Sequence, residues 1–423
     1  MIEFLEKKAA ITGIGMSDVG RRLNRDPLEL TADACLQAIA DAGLTRKDID
    51  GISTWPGTGV SGAPGFSGAG VIDVQDMLRL KLNWYNGGLE QAGQLGSVIT
   101  ACAAVAAGYA NHVLCFRTVF EATAQAGGRK PLLIKKKNEK IKEQASAADS
   151  AKPKVSQGSG AMGMVPRASG TQQWSLPFGA ASAAPWLALN AQRHFHQYGT
   201  TREALCTIAV NARRNAGLNP KAVYRDPLTR EDYFNARMIS DPFCLYDCDA
   251  PCDASTAVIV SRVDAAKNMR KPVIHIEAVG SAIHGRPSWD QWEDMTTMCL
   301  RDASKMMWSR TDLKPKDVNV AELYDGFSFI TLAWLEAMGF CKVGEAKDFL
   351  KDGSNISLES KCPLNTNGGQ LSGGRLHGYG FLHEACTQLW GEGAARQVKN
   401  SPKVAVAAAG GGPIGGCLLL RRD

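Results

Sequence analysis

Short apolar runs alternate along the chain with longer stretches in which apolar residues recur every three or four positions. Residues 8–14 (KAAITGI) form such a run and predict a strand, whereas residues 27–43 carry apolar side chains at helical spacing and end on a glycine. The second half repeats the pattern, with a predicted strand at 272–280 and a predicted helix at 296–309. Alternating strands and helices indicate the α/β class and favour a mainly parallel sheet with helices on its faces.

Two charged turns that lead into strands resemble each other across the two halves of the chain. The segments RKDIDGIS (46–53) and PKDVNVAEL (315–323) each follow a predicted apolar helix. A match in the same strand–helix–turn–strand setting indicates an internal duplication. We therefore predict two fused halves, residues 1–270 and residues 271–423.

One segment of the N-terminal half breaks this alternation. Residues 127–160 are rich in Lys, Ala, Ser and Gly and show no hydrophobic periodicity. Such a composition predicts a solvated surface insertion, because it buries too little apolar surface to order itself. A second interpretation is a basic flap that meets a phosphate-bearing ligand or an acidic partner.

Composition and charge exclude several function classes. A formal net charge of +6 over 423 residues suits a small phosphate-bearing ligand but is too weak to indicate nucleic-acid binding. No uninterrupted run of about 18 apolar residues predicts a membrane span, and the N-terminus carries no apolar signal core. Twelve cysteines without a secretory signal then indicate reduced thiols and a cytoplasmic protein.

Two groups of candidate metal ligands have the wrong spacing. Cys244, Cys248 and Cys252 recur every four residues but lack the paired cysteines or histidine partners of a zinc site. His194 and His196 are two residues apart and point away from each other on a helix. We therefore expect no metal ligands in this chain.

Three glycine-containing segments of the second half predict the functional site. Each adjoins a predicted strand: residues 321–329 (AELYDGFSF), 365–385 and 407–416. Sites in α/β sheets form on loops at strand ends. Glycines there let backbone N–H groups approach a ligand and point at developing negative charge, although tight turns between core strands have the same composition.

These segments resemble known loops of the thiolase superfamily. Residues 365–374 (NTNGGQLSGG) resemble its Asn-x-x-Gly-Gly loop, residues 407–416 (AAAGGGPIGG) its terminal Cys-x-Gly-Gly-Gly loop, and residues 204–260 its central region. The resemblance is closest to sterol-carrier-protein-type thiolases and the related lipid-transfer proteins, and covers nearly everything except 127–160. It implies the thiolase fold, a duplicated five-layer α-β-α-β-α sandwich, in agreement with the internal repeat.

The departures from the thiolase pattern concern its reactive groups. The position of the acyl-accepting cysteine falls near Gln91, and the second cysteine position holds Ala408. The Gly-His-Pro of the central loop becomes Gly374-Arg375-Leu376. Without a thiolate and its acid/base partners, an acyl-enzyme route has no obvious nucleophile.

Two tyrosines remain in these loops, a pattern similar to the steroid side-chain aldolases of the lipid-transfer-protein group. Tyr324 occupies the position of a family histidine, and Tyr379 lies in the His-Gly-Tyr-Gly of the central loop. The resemblance implies retro-aldol cleavage of a β-hydroxyacyl-CoA, with release of a ketone and a short acyl-CoA, propanoyl-CoA in the family. One tyrosine would deprotonate the hydroxyl and the other protonate the enolate, with their assignment open.

Neighbouring residues supply the expected supporting roles. Asp325 and His377 are candidates to orient the two tyrosines. The backbone amides of Gly410, Gly411 and Gly412 are candidates to stabilise the enolate oxygen.

CoA contacts and partners are expected from the resemblance. Arg213 and Arg214 are candidate CoA ligands in the family-like NARRNA segment, with a solvated helix face as the alternative. The family's aldolases work with a small OB-fold, zinc-ribbon protein. We therefore expect such a partner, a homodimeric core within a hetero-oligomer, zinc only in the partner, and no covalently bound cofactor.

Two other functions stay open. A divergent thiolase or acyl-CoA acyltransferase would need another thiol, such as Cys386 or Cys417, which the sequence places inside a helix and a strand. A non-catalytic lipid-binding subunit would have kept the fold and lost the chemistry.

Overall fold

A computed structural model describes residues 4–57, 64–88, 91–126, 172–180, 182–266, 269–283, 294–399 and 401–423. The Lys-rich segment at 127–160 lies outside the described residues. The strands are β1 Ala9–Met16, β2 Gly51–Thr54, β3 Trp84–Gly87, β4 His112–Phe120, β5 Met238–Ser240, β6 Phe243–Cys244, β7 Asp253–Arg262, β8 Ile274–Ile283, β9 Val320–Leu323, β10 Val404–Gly411 and β11 Ile414–Arg421.

The helices include the two that the spacing of apolar residues predicts, within residues 27–43 and 296–309. The described helices are α1 Pro27–Asp41, α2 Val71–Leu78, α3 Gly96–Ala106, α4 Glu121–Ala124, α5 Gln172–Ser175, α6 Ala183–Tyr198, α7 Arg202–Gly217, α8 Arg230–Asn235, α9 Leu300–Trp308, α10 Ser328–Ala337, α11 Ala346–Phe349 and α12 Tyr379–Trp390. Among the described helices, none combines the length and the apolar character that a membrane span requires.

The strand order confirms the internal duplication. Nine strands run in the order β3-β2-β4-β7-β1-β8-β11-β10-β9. Counted outward from the β1–β8 pair, the N-terminal half has the order β1, β7, β4, β2, β3, and the C-terminal half has the order β8, β11, β10, β9. In each half the first strand is followed by the last strand and then by the inner strands. At the outer edge of the N-terminal half, β3 pairs with β2. At the equivalent edge of the C-terminal half, β9 forms a single parallel bridge between Ala321 and Leu364. The expected boundary after residue 270 falls between β7 and β8 and stays a prediction.

The expectation of a mainly parallel sheet is wrong. Parallel pairing is confined to β2 with its two neighbours and to β9 with β10, whereas β7 and β11 run antiparallel to the strands beside them. The β10–β11 hairpin turns through Gly412 and Pro413, and a connection this short allows only antiparallel strands. Hydrophobic periodicity indicates that a strand is present but does not encode its direction.

Alternating side chains assign the layers around the N-terminal half-sheet. Leu114 and Phe116 of β4 lie in one apolar cluster with α1, whereas Val113 and Cys115 lie in the larger central cluster with α3. The N-terminal half-sheet is therefore covered by α1 on one face and α3 on the other, as the two-residue period of a strand requires.

Helix α12 lies between the two half-sheets. It packs on β9 and β10 of its own half and also on β1 and β7 of the other half. The turn at the start of α3 likewise reaches β10 and β11, and α9 packs on β8 and β11. The architecture is the duplicated α-β-α-β-α sandwich of the thiolase fold, and the N-terminal ends of α3 and α12 meet in its central layer.

Candidate active site

Three loops converge where the two central helices begin. They are residues 91–95 before α3, residues 377–379 at the start of α12, and the end of β10. A Cβ added to Gly378 would lie 2.7 Å from the Cβ of Ala409 and 3.1 Å from that of Gln94. A Cβ added to Gly93 (φ 59°) would lie 3.0 Å from the carbonyl oxygen of Ala409. Both positions therefore need glycine for the loops to touch.

Tyr324 stands at the end of β9 and is 8% exposed. Gln94 Nε2 donates a hydrogen bond of 3.3 Å to its Oη, so the phenol contacts the loop before α3. A Cβ on Gly326 would lie 2.7 Å from Cε1 of the ring, so Gly326 leaves the space that the phenol occupies. Burial, and then the negative charge of Asp249, raise the pKa of Tyr324.

Tyr379 is the first residue of α12 and is fully buried. Its Oη lies 2.6 Å from Ser97 Oγ in the first turn of α3, so the two central helices are joined by a hydroxyl pair. Burial raises the pKa of Tyr379 well above its usual value, while Ser97 and Arg117 favour the ionised form.

Asp325 binds the glycine loop. Its carboxylate accepts N–H groups from Gln370 at 2.7 Å and Leu371 at 3.5 Å, and burial raises its pKa to about 7. A Cβ on Gly369 would lie 1.9 Å from Asp325 Oδ2, so the carboxylate fits only against glycine. The structure thus places Asp325 as an anchor of the loop, with no hydrogen bond to either tyrosine.

His377 is held by Arg117, a residue that the sequence analysis missed. Arg117 Nη2 lies 2.9 Å from His377 Nδ1, and both side chains are buried. Burial, and then the charges of Arg117 and Arg375, hold the pKa of His377 well below its usual value. The sequence signal for Arg117 is a lone charge within the apolar strand HVLCFRTVF.

Arg375, which replaces the family's loop histidine, forms a buried charge network. Its Nη1 lies 3.1 Å from Glu121, and its Nη2 lies 2.7 Å from Asp249. Burial raises the pKa of both carboxyls, and Arg375 opposes that change. Arg375 also favours the ionised form of Tyr324, so the network acts electrostatically on one of the two phenols.

The terminal glycines are partly engaged in the fold. The Gly410 carbonyl accepts a 3.1 Å hydrogen bond from Trp334 Nε1, and the Gly412 N–H lies 3.0 Å from Met298 Sδ. Gly411 pairs with Ile414 across the hairpin.

The two candidate CoA arginines differ in environment. Arg213 is buried against the rings of Tyr224 and Tyr246, and its Nε donates to Ser372 Oγ in the glycine loop at 2.9 Å. Arg214 is exposed and donates only within its helix, to Asn211 at 3.0 Å.

Several side chains on and beside the converging loops have a buried polar atom without a hydrogen-bond partner among the described residues. These atoms are Oε1 of Gln91 and Gln94, Nε2 of Gln370, and Nε of Arg117 and Arg375. Buried polar groups are nearly always hydrogen-bonded in folded proteins, so a cluster of exceptions indicates a place for water or a polar ligand.

The cysteines offer no thiolate. All twelve are free, and burial raises the pKa of each. Cys386 lies inside α12 and Cys417 inside β11, both fully buried. The described residues contain no group of three or more histidine, cysteine or acidic side chains placed to hold a metal ion.

A cavity of about 320 Å³ reaches the glycine loop from the side of β1 and α1. Its lining includes Gln370 and Gly378 but neither tyrosine. The two tyrosines therefore mark the candidate site better than this cavity does, because a phenol can transfer a proton.

Comparison with known proteins identifies relatives of the whole chain. A family model, thiolase C-terminal domain-like, matches residues 281–416. A steroid side-chain-cleaving aldolase of Thermomonospora curvata is 33% identical over 416 residues, with 97% of each chain covered. The 17-hydroxy-3-oxo-4-pregnene-20-carboxyl-CoA lyase of Mycobacterium tuberculosis is 30% identical over 425 residues, which cover 98% of this chain and all of that one.

Solved structures agree with these sequence matches. An "Ltp2-ChsH2(DUF35) aldolase" superposes with a TM-score of 0.82 at 30% identity and covers 100% of this chain and 99% of that one. Human mitochondrial 3-ketoacyl-CoA thiolase shares the fold, with a TM-score of 0.64 at 13% identity over 99% of this chain and all of that one.

The duplicated sandwich and its converging loops, which carry no cysteine, define a thiolase-fold protein of a distinct kind. At 33% identity over 97% of its length, the chain belongs to the thiolase superfamily, in the group that contains the steroid side-chain-cleaving aldolases.

Proposed function

We propose that the protein cleaves a β-hydroxyacyl-CoA with a bulky, steroidal acyl group into a ketone and a short acyl-CoA, propanoyl-CoA where the α-carbon carries a methyl group. It is a carbon–carbon lyase that acts on acyl-CoA thioesters. The observation that carries the proposal is residues 91–97, which hold no cysteine where the resemblance expects the thiolase nucleophile, near Gln91, and which contact two buried phenols.

The cleavage needs two proton transfers and no acyl-enzyme. A base takes the proton of the β-hydroxyl, the bond between the α- and β-carbons breaks, and its electrons form the thioester enolate. An acid then protonates the α-carbon. Tyrosines suit both steps, since a phenol can return in one step the proton that its phenolate takes in the other.

The surroundings of the two phenols favour different roles for them, one as proton donor and the other as base. Tyr324 keeps some exposure and accepts a hydrogen bond from the amide of Gln94, so we take it as the phenol closer to an incoming substrate. Burial keeps it neutral at neutral pH, which suits a proton donor to the enolate. Tyr379 is hydrogen-bonded to Ser97, which can pass its proton on, so we assign it the base role. Burial raises its pKa, and Ser97 and Arg117 oppose that change.

Substrate and partner contacts are part of the same proposal. Arg214 is the better candidate for CoA phosphates because it is exposed, whereas Arg213 holds the glycine loop. The proposed donors to the enolate oxygen are backbone amides near Gly410, Gly411 and Gly412, of which that of Gly412 lies near Met298 Sδ. A small OB-fold, zinc-ribbon protein is the proposed partner of a homodimeric core in the cytoplasm, since the similar solved aldolase is a complex with a DUF35 chain.

The proposal is tested by assaying the chain with its small partner against 17-hydroxy steroid side-chain CoA esters. The expected products are a 17-ketosteroid and a short acyl-CoA in equal amounts, measured by mass spectrometry. Tight acyl-CoA binding without turnover in the assembled complex would indicate a lipid-binding subunit. Activity that requires free CoA as a co-substrate would indicate a thiolase.

A further inference from the structure

Arg117 is a buried cation that contacts one histidine, His377. It lies in β4 and is 1% exposed, with its guanidinium over the rings of Trp55 and Phe66 at 5.0 Å and 4.9 Å. Nη1 donates to the Thr118 carbonyl at 2.9 Å, and Nη2 lies 2.9 Å from His377 Nδ1. A charge in this apolar setting is costly unless its hydrogen bonds are made, so the contact with His377 is strongly favoured.

This contact fixes the tautomer of His377. A guanidinium has only donors, so Nδ1 must accept the hydrogen bond and carries no proton. The neutral ring therefore holds its proton on Nε2. A protonated ring would present a second N–H to Arg117, which has no acceptor to offer.

The backbone and the packing hold the same ring rigidly. His377 has φ 47°, in the left-handed region, and its N–H donates to Gln370 Oε1 at 2.8 Å. The ring contacts Phe66 and Trp55 edge-on, at centroid distances of 4.8 Å and 6.0 Å. A residue that keeps a strained conformation with this much support is a mark of a functional position.

The charges that face the ring have one sign. Arg117 faces it from β4 and Arg375 from its own loop, and both disfavour a positive imidazole. The nearest carboxylates, Glu121 and Asp249, are engaged by Arg375. Nε2 makes no hydrogen bond with any described residue, so the Nε2–H stays available at the start of α12, two residues from Tyr379.

We propose that His377 donates its Nε2–H to the oxygen of the thioester enolate, and that Arg117 is the positioning residue that fixes this neutral tautomer. The second part concerns the ligand-free protein alone, whereas the first rests on the proposed function. A neutral imidazole suits this role because it stabilises developing negative charge without delivering a proton to the oxygen.

The tautomer is tested by nitrogen NMR of protein labelled at its seven histidines. The His377 signals, assigned by their loss in His377→Gln, should show a protonated Nε2 and a bare Nδ1 from pH 8 to pH 5. In Arg117→Met, signals of a protonated Nδ1 should appear, because the donor that keeps Nδ1 bare is gone. Arg117→Lys keeps a cationic N–H donor, and its His377 should keep a bare Nδ1 even if Arg117→Met fails to fold. In the wild type, a charged His377, or a proton on Nδ1, would overturn the proposal.

The enolate contact is tested by kinetics of the assembled complex. His377→Gln keeps an N–H donor and should lose about tenfold in kcat, whereas His377→Leu should lose about 10²- to 10³-fold with little change in KM. In Arg117→Met, kcat should fall in proportion to the fraction of His377 whose Nε2 has lost its proton, as NMR measures it. Equal kcat for the wild type and His377→Leu refutes the contact. If the complex cleaves no steroid CoA ester, the proposed function fails while the NMR result stands.

Discussion

The starts of α3 and α12 occupy equivalent places in the two halves of the molecule, yet they differ in whether their side chains are ionisable. Residues 91–97 (QAGQLGS) contain no ionisable side chain and offer amides and a hydroxyl. Residues 375–379 carry an arginine, a histidine and a tyrosine, each joined to a partner from another element. One helix start therefore carries amides and a hydroxyl, and the other carries ionisable side chains.

This separation explains how the fold can serve cleavage without a thiol. In a thiolase-like site, the nucleophile sits at the start of α3, and the other loops serve it. Here that segment carries the side-chain amides of Gln91 and Gln94, whose oxygens have no hydrogen-bond partner among the described residues. They can hold a hydroxyl group in place, but they cannot form an acyl-enzyme.

Replacing the phenols gives the largest expected effect on activity. Tyr324→Phe and Tyr379→Phe should each lower kcat by about 10²- to 10⁴-fold, because each removes a proton-transfer group. Circular dichroism and melting temperature check that the fold is kept. Tyr109→Phe is the matched control, since Tyr109 is 65% exposed beyond the end of α3 and should leave kcat unchanged. Full activity in either buried variant would remove that residue from the mechanism.

Arg375→Met tests whether the charge network of Arg375, Glu121 and Asp249 stabilises the loop before α12. Glu121 and Asp249 would remain buried without their cation, so the free energy of unfolding should fall by about 3–5 kcal/mol. Arg230→Met is the control, because its ion pair with Glu203 is exposed and its loss should change stability little. Urea denaturation of both variants measures the difference. Similar midpoints would show that the network is unimportant for stability.

Much of this architecture could be predicted from local sequence. Strand and helix positions followed from periodicity, and the duplication followed from two matching turns. The two tyrosines were proposed as site residues because they lie in loops that resemble thiolase loops. Strand direction was missed, since it depends on which distant strands pair.

The long-range contacts of the site were also beyond sequence reasoning. Arg117 and His377 are 260 residues apart, and Arg375 and Glu121 are 254 apart. Asp325 was expected to orient a tyrosine because it follows Tyr324, whereas its carboxylate turns to the glycine loop. A lone arginine in an apolar strand is a visible signal, but its partner is fixed only by the fold.

Of the two helices, α12 and not α3 should contribute to the fall in the free energy of unfolding at acid pH. Burial lowers the pKa of His383 on α12 to about 4, so the folded state binds fewer protons than the unfolded state below about pH 6.5. The free energy of unfolding should therefore fall as pH drops from 6.5 to 4. His383→Gln should flatten the slope by less than the full 1.4 kcal/mol per pH unit or so, because the ring lines a cavity and keeps partial exposure. An unchanged slope in urea titrations would exclude His383 as a source.

Thiol-blocking reagents should have the smallest effect, and that result tests the α3 side most directly. If a cysteine such as Cys386 or Cys417 had taken over as nucleophile, a reagent would abolish turnover. Both are fully buried, and burial raises the pKa of each, so the native protein should keep its activity. Titration with a small reagent, with and without urea, should show rapid modification of all twelve thiols only after unfolding. Loss of activity in step with modification of one thiol would return the reaction to covalent catalysis.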